Sequence, residues 1–428
     1  MKEELLQYLW KIRMAQYNNL YTTDGRELHI INPGCMHQDA GPDFKQAIIR
    51  VDDMIWAGDV EIHINSSDWY KHHHHQDDKY LSVILHVVYK HDVNVFRKDQ
   101  EIIPALELKN YIPQQIIDEY QKLTLSTNLI ACSGSLDRVP PLVQTSIISS
   151  MAVGRLLRRQ QQLLRMLKNC HDDWNELTYR VLLVNFGFNV NATAFELLAQ
   201  SLPYRILQRH QSSRTQVYAL LFGQAGLLSE DREEHKYDEY YILLKNEYEY
   251  LKYKYGLTPI EAKLWNLLRL RPTNFPCVRI AQVSELLFSM PDIFREVIYE
   301  ASPGTLKDKI SGVCPADYWS THFQFGVKTK LHHCHIGKTA YKLLLINTVV
   351  PLMFTYGSFS GNERMKSVAV DTLEILGAEN NHITRLFQTH HFPVHSALFS
   401  QALLELYSGY CKHHACHACP IGQYIITH

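Results

Sequence analysis

The chain has 428 residues, with 43 Lys and Arg against 44 Asp and Glu, a formal net charge of −1, 46% hydrophobic and 20% charged residues. This balance excludes a largely disordered protein and a polycation that binds nucleic acid by bulk charge, so any attraction to phosphate has to come from a local patch. No run of about 18 or more uninterrupted apolar residues occurs, which argues against a membrane span.

The length predicts two domains. Met1-Lys2-Glu3-Glu4 leads into an amphipathic pattern rather than an apolar leader, and nine Cys, an odd number, suit a reducing compartment better than a disulfide framework. The expected location is cytoplasmic. His (24) and Tyr (25) are both frequent, which suits metal or proton chemistry without identifying it.

In chain order, a helix is predicted from Glu3 to about Gln16, then a strand over Glu27 to Ile31 and a loop at Asn32-Pro33-Gly34. Gly41-Pro42-Asp43-Phe44 opens an alternating run to Trp56, with a turn at Asp52-Asp53. A second run follows, Gly58-Asp59-Val60-Glu61-Ile62-His63-Ile64. Side chains at i and i+2 of a strand share a face, so Glu61 and His63 point the same way, and a hairpin-linked sheet brings Asp43 to them. Two carboxylates and a nitrogen base are what a hard divalent ion needs to activate water against a phosphodiester. Asp43 and Glu61 are therefore the candidate ligands for Mg²⁺ or Mn²⁺, and His63 a candidate for the third catalytic role.

The run His72-His73-His74-His75 follows. Adjacent side chains diverge, so a solvated loop is its ordinary fate, with one ligand near Glu61 the alternative. Ser67 to Tyr80 is expected to cross over as a helix, and His86, inside Val83 to Val88, reads as a hydrogen-bonded core histidine. Glu107-Leu108-Lys109 is a literal acid-x-Lys, making Lys109 the rival of His63.

From about Pro113 the period becomes helical: Leu142 to Leu167, Trp174 to Leu183, Ala194 to Leu202, Ile206 to Leu221 and Tyr237 to Tyr255. Arg155, Arg158 and Arg159 partly share one face of the first of these. Arg269 and Arg271 stand beside the break at Pro272 and Pro276, where they either clamp a phosphate or cap the preceding helix, and Arg279 opens the helical run that follows. Near the end, Cys411, Cys416 and Cys419 lie within nine residues. Thiolates this close are metal ligands more often than packing residues, with Zn²⁺ the first candidate and an iron–sulfur cluster the second. The fourth ligand is sought among His413, His414, His417, Cys314 and Cys334.

Asp43 after Pro42 and the triplet Glu61-Ile62-His63 on the next strand resemble the PD-(D/E)XK nuclease core, which has Lys where this chain has His63. The resemblance covers about the first hundred residues. The motifs Thr22-Thr23-Asp24-Gly25, Asn32-Pro33-Gly34, Gly41-Pro42-Asp43-Phe44, Ser67-Asp68-Trp69-Tyr70 and Arg271-Pro272-Thr273-Asn274-Phe275-Pro276, with the Cys-rich segment, resemble a bacterial family of proteins of unknown function along nearly the whole chain.

The expected architecture is a restriction-endonuclease-like α/β domain with a mixed sheet over residues 1–112, then a larger all-α domain over 113–428. The expected function is a metal-dependent nuclease or nuclease-derived protein acting on DNA or RNA, with Arg155, Arg158, Arg159, Arg271 and Arg279 as phosphate contacts. Its alternative is a non-catalytic scaffold that binds nucleic acid or protein, and a third reading is a hydrolase of a small phosphate. No membrane partner is expected.

Overall fold

The computed structural model describes residues 2–12, 19–37, 40–229, 233–299 and 309–428. They form two compact units: residues 1–148 with 381–393 and 403–428, and residues 149–380 with 394–402. The boundary expected near Pro113 lies inside the first unit. Its physical reason is α3 (Gln114–Leu125), which buries Ile116, Ile117, Tyr120 and Leu123 and packs on the helix Pro420–Thr427. The expected helix to Gln16 is described over Glu3–Lys11 (α1), where Leu5, Leu6, Leu9 and Trp10 form the buried stripe; residues 13–18 lie outside the described residues.

Among the described residues of the first unit, seven strands form one mixed sheet. They are β1 (Leu20–Tyr21), β2 (Glu27–Asn32), β3 (Cys35–Met36), β4 (Phe44–Val51), β5 (Met54–Asn65), β6 (Val83–Lys90) and β7 (Ala105–Glu107), in the order β1-β2-β4-β5-β6-β7 with β3 paired to β4. Strands β2, β4 and β5 are antiparallel neighbours, whereas β5, β6 and β7 run parallel.

The β4–β5 hairpin turns at Asp52-Asp53, where Asp52 adopts φ 51°; Asp tolerates this left-handed conformation in two-residue hairpin turns. At the other end of β4 the register shifts between Phe44 and Ala47, with Gln46 at φ 60°. Both Phe44 and Ala47 are buried although they are three positions apart, an odd step that would put them on opposite faces of a regular strand. A bulge re-aims neighbouring side chains, and Asp43 stands at its edge.

Gly58 on β5 marks where β6 comes closest. A Cβ there would stand 2.4 Å from Ile84 Cγ2 and 2.5 Å from the Ser82 carbonyl oxygen. Strand β5 is covered on both sides from Val60 to His63, all of them buried, with α1 packed against it.

The crossover from β5 to β6 is less helical than its composition suggests. It holds one α turn, α2 (Asp68–Lys71), and 3-10 turns at His74–Gln76 and Asp78–Tyr80. The break is His73, in the left-handed region at φ 60°. Asp92 holds the start of α2, accepting from the Ser67 amide at 2.8 Å and from the Ser67 hydroxyl at 2.8 Å. A small core of Trp69, Tyr80, Val83, Val95 and Ile103 anchors the rest.

The second unit is helical. The long helix α4 (Pro141–Asn169) leads into it, and Trp174–Phe186, Ala192–Ser201, Arg214–Gln224, Glu239–Tyr255 and Pro276–Ser289 follow. The helix expected over Ile206 to Leu221 is two, Tyr204–Gln208 and Arg214–Gln224, because Ser213 caps a new start by accepting from the Gln216 amide. Gly223 lets two helices cross: a Cβ there would lie 2.1 Å from the Tyr248 ring.

One helical stretch, Lys338–Phe359, is long and apolar enough to span a membrane, but 67% of its most apolar window is buried inside the protein. It includes a π turn at Leu345–Val349 just before Pro351, where the missing Pro amide removes a ladder bond. Burial of this kind is that of a core helix.

Candidate metal centre

Asp43 and Glu61 interlock through the backbone. The Asp43 amide donates to Glu61 Oε2 at 3.0 Å, and the Ile62 amide donates to Asp43 Oδ2 at 3.1 Å. Gln7 of α1 donates to Asp43 Oδ1 at 2.9 Å. Glu3 lies one helical turn before Gln7, on the same face, and its charge acts on both carboxylates. Burial lifts the Asp43 carboxyl to about 7, with the neighbouring Glu61 charge adding to it. Burial likewise lifts Glu61 to about 8, with Glu3 contributing. Buried carboxylates held this close keep protons into the neutral range unless a cation replaces them.

His63 completes the strand face. Its Nε2 lies 3.5 Å from Glu61 Oε1 and 3.1 Å from His72 Nδ1, and its Nδ1 lies 2.8 Å from His86 Nε2. Register explains the last of these: β5 and β6 are parallel and Glu61 pairs with His86. Burial, then the neighbouring His86, His74 and His72, push the His63 pKa down to about 2. Burial holds His86 at about 3. Both rings are therefore neutral. With His86 Nε2 as acceptor for the His63 Nδ1 proton, a tautomer assigned from the network, the Nε2 lone pair of His63 faces Glu61 and His72. A metal-ligating histidine has this arrangement when its second nitrogen is held by a partner.

Two members of the polyhistidine run turn inward. His74 Nε2 is 3.2 Å from Glu61 Oε1, and its ring stacks on Tyr80 at 3.8 Å with Trp69 at its edge. The ligand atoms of His63, His72 and His74 all lie within 4.8 Å of one another. The divergence of adjacent side chains still holds, but the left-handed His73 reverses the backbone so that alternate residues, His72 and His74, converge. Exposed His72 leaves the cluster open to solvent on one side. Three imidazoles, that of His63 neutral, beside two carboxylates form a donor set that fits a divalent ion, and the nitrogen share favours Mn²⁺ or a later transition metal over Mg²⁺.

The other sequence candidates fall elsewhere. Lys109 is exposed just after β7, two strands from β5. Among the described residues no hydrogen bond or ion pair ties it to Asp43 or Glu61.

In the helical unit, Arg155, Arg158 and Arg159 line a cavity of about 150 Å³ with Gln162, Asn347 and Gln401. Arg155 Nε donates to Gln401 Oε1 at 2.6 Å. Burial, then the charges of Arg155 and Arg158, lower the Arg159 pKa. Arg271 and Arg279 line a different cavity, of about 330 Å³. Arg271 is exposed. Arg279 is buried over the Phe188 ring, donates to Gln282 and Asn274, and is held at about 10 by burial. Arg269 and Arg271 cap no preceding helix, because residues 257–271 are loop with a 3-10 turn at Ala262–Leu264.

Glu3, Gln7, His72 and His74 are the members of this centre that the sequence did not single out by position. The i, i+4 pair Glu3 and Gln7 on the polar face of α1 was the available signal for two of them.

Fold and site define a class: an α/β unit with a buried carboxylate–imidazole cluster, encoded in one chain with a helical unit. The chain belongs to the family described as Protein of unknown function (DUF2851), whose model matches residues 3–382. Nothing matches it among curated proteins or among solved structures. The matched region contains every residue of the carboxylate–imidazole cluster and ends before Cys411.

Proposed function

We propose that the sheet unit is a metal-dependent phosphodiester hydrolase, a nuclease or nuclease-derived protein acting on DNA or RNA. The observation that carries this reading is the convergence of Asp43 and Glu61 beside the imidazoles of His63, His72 and His74. The chain path supports it: a helix, three antiparallel strands, a short helical crossover and a fourth strand parallel to the third. Pro42-Asp43 lies at the start of the second of these strands, and Glu61-Ile62-His63 on the third. This is the order of the restriction-endonuclease-like core.

Asp43 and Glu61 would hold Mn²⁺ or Mg²⁺, joined by His63 and His74. A bound ion would supply an acidified water and positive charge against the developing phosphorane. His63, neutral and hydrogen-bonded to His86, acts as ligand and orienting group rather than as general base, because a base needs a pKa near the working pH. Gln7 and the Ile62 amide fix Asp43, and the stacked Tyr80 fixes His74, so the donors stand ready before substrate arrives. The cluster of Arg155, Arg158 and Arg159 is the proposed phosphate contact of the helical unit; Arg279 is engaged within its own helix and is left out of that role.

The test is cleavage of labelled single- and double-stranded DNA and RNA in Mn²⁺ and in Mg²⁺, with titration calorimetry of both ions. Metal-dependent cleavage lost in Glu61→Gln supports the reading. A folded protein that neither binds Mn²⁺ nor cleaves any of these substrates would replace it with the non-catalytic scaffold, for which the absence of Lys at position 63 is the supporting observation.

A further inference from the structure

A fourth cysteine, remote in sequence, joins the three near the end of the chain. Cys132 follows α3 and opens the 3-10 turn Ser133–Arg138 in the sheet-bearing unit. The helix Gln114–Leu125 that leads to it packs on the helix Pro420–Thr427, whose N-cap is Cys419, and after burial the groups that act on the Cys132 thiol are Cys419, Cys411 and Cys416. All nine cysteines of the chain are free, and Cys132, Cys416 and Cys419 are buried.

The other candidate fourth ligands have other surroundings. Cys314 and Cys334 hydrogen-bond to each other in the helical unit. His413 and His414 are exposed, and the charges acting on His417 are those of Glu4 and Lys2.

The loop that carries the three thiols is built around them. His414, at φ 52°, turns the chain back so that the Ala415 amide donates to the Tyr410 carbonyl at 3.0 Å. The Cys419 amide donates to the carbonyls of Ala415 and Cys416 at 3.1 and 3.2 Å. The amides of Ile421 and Gly422, in the first turn of the helix Pro420–Thr427, donate to the Cys419 sulfur. Gly422 admits this geometry because a Cβ there would stand 2.1 Å from the Cys416 carbonyl oxygen. Backbone amides aimed at a cysteine sulfur stabilise its thiolate form and are a device for setting the properties of iron–sulfur centres.

The two metals need different spacings. Four thiolates around one Zn²⁺ sit on the corners of a tetrahedron whose edge is about 3.8 Å, given zinc–sulfur bonds of ~2.3 Å. Among the described residues, the group of His, Cys, Asp or Glu ligand atoms all within 4.8 Å of one another is His63, His72 and His74, and no three of these cysteines meet that limit. A cubane interposes its own irons and sulfides and needs the wider arrangement. We infer that Cys132, Cys411, Cys416 and Cys419 hold a [4Fe–4S] cluster that clasps the Cys132 turn to the Cys411–Cys419 loop. No histidine or carboxylate belongs to the ligand set, and the site is independent of the Asp43/Glu61 centre.

The experiment is anaerobic purification of the full chain with iron, labile sulfide and zinc analysis. About four irons and about four sulfides per chain are expected, as for one [4Fe–4S] cluster, with broad visible absorption that bleaches on reduction. Cys132→Ser should lose iron as completely as Cys416→Ser, while Cys170→Ser, a buried cysteine outside the cluster, should keep it. One zinc per chain without sulfide, or full iron in Cys132→Ser, would overturn the assignment. Should Cys132→Ser fail to fold, Mössbauer spectra of isotopically enriched wild type decide instead. Irons all in thiolate surroundings are expected, and a distinct site with a non-sulfur ligand would remove Cys132 from the set.

Discussion

Asp43 and Glu61, eighteen residues apart, are locked to each other by two backbone amides: Asp43 N–H to Glu61 Oε2 at 3.0 Å, and Ile62 N–H to Asp43 Oδ2 at 3.1 Å. Each carboxylate keeps its other oxygen for a further partner, Gln7 for Asp43 and His74 for Glu61. The sheet thus fixes buried Glu61 and half-buried Asp43 in one place before any cation binds, and their proton affinity becomes the handle by which the site can be probed.

Glu61→Gln and Asp43→Asn each keep shape and remove charge. Either should weaken Mn²⁺ binding by roughly 100-fold or more, since loss of even an outer-sphere partner costs 10–100-fold, and cleavage should fall with it. Titration calorimetry on folded variants checks this; unchanged affinity in both would remove the pair from the site.

The raised carboxyl pKa values set a pH dependence. In metal-free protein Asp43 titrates at about 7 and Glu61 at about 8, against roughly 4 for each in the unfolded chain. Between those limits the folded state binds more protons than the unfolded one, so stability falls as pH rises from about 4 to about 8. With chelator present, the thermal midpoint should drop across this range, and less so in Asp43→Asn. Added Mn²⁺ should raise it most at the alkaline end, where no proton has to be displaced. A midpoint that climbs with pH in chelator and is unaltered by Asp43→Asn would contradict the coupling.

His74→Ala removes the nitrogen 3.2 Å from Glu61 Oε1. Because imidazole matches Mn²⁺ and later metals better than Mg²⁺, the variant should lose about tenfold or more in Mn²⁺ affinity, on the order of a ligand-supporting partner, and far less for Mg²⁺. Parallel titrations with the two ions measure the ratio, and an equal loss for both would assign His74 a packing role against Tyr80.

Gly58→Ala tests the close approach of β5 and β6. The new Cβ meets Ile84 and the Ser82 carbonyl, and relief requires the strands to part. The expected cost is about 1–3 kcal/mol, the usual range for overpacking, read as a lower transition of the sheet-bearing unit by hydrogen exchange of β5 and β6 amides.

The arginine cluster is tested by salt. Arg158→Ala with Arg159→Ala should weaken binding of a single-stranded oligonucleotide and reduce the slope of log K against log salt by roughly 1 for each phosphate that an arginine no longer neutralises. Fluorescence anisotropy across salt concentrations measures the slope. Unchanged slope and affinity would leave the cavity at Arg155, Arg158 and Arg159 without a phosphate role.

The sequence by itself determined the strands that carry Asp43, Glu61 and His63, because alternation in Phe44 to Trp56 and Gly58 to Ile64 is a local property of neighbouring residues. It determined the helical periods after Pro113 for the same reason, and it marked Cys411, Cys416 and Cys419 by their closeness along the chain. Tertiary structure alone decided what meets across distance. The extension of the sheet-bearing unit past Pro113 depends on the packing of α3 against Pro420–Thr427, which no window of sequence contains. The inward turn of His72 and His74 depends on one left-handed residue, His73, whose conformation composition does not disclose. Cys132 and the other proposed cluster ligands, Cys411, Cys416 and Cys419, are more than two hundred and fifty residues apart along the chain, a separation at which spacing carries no information.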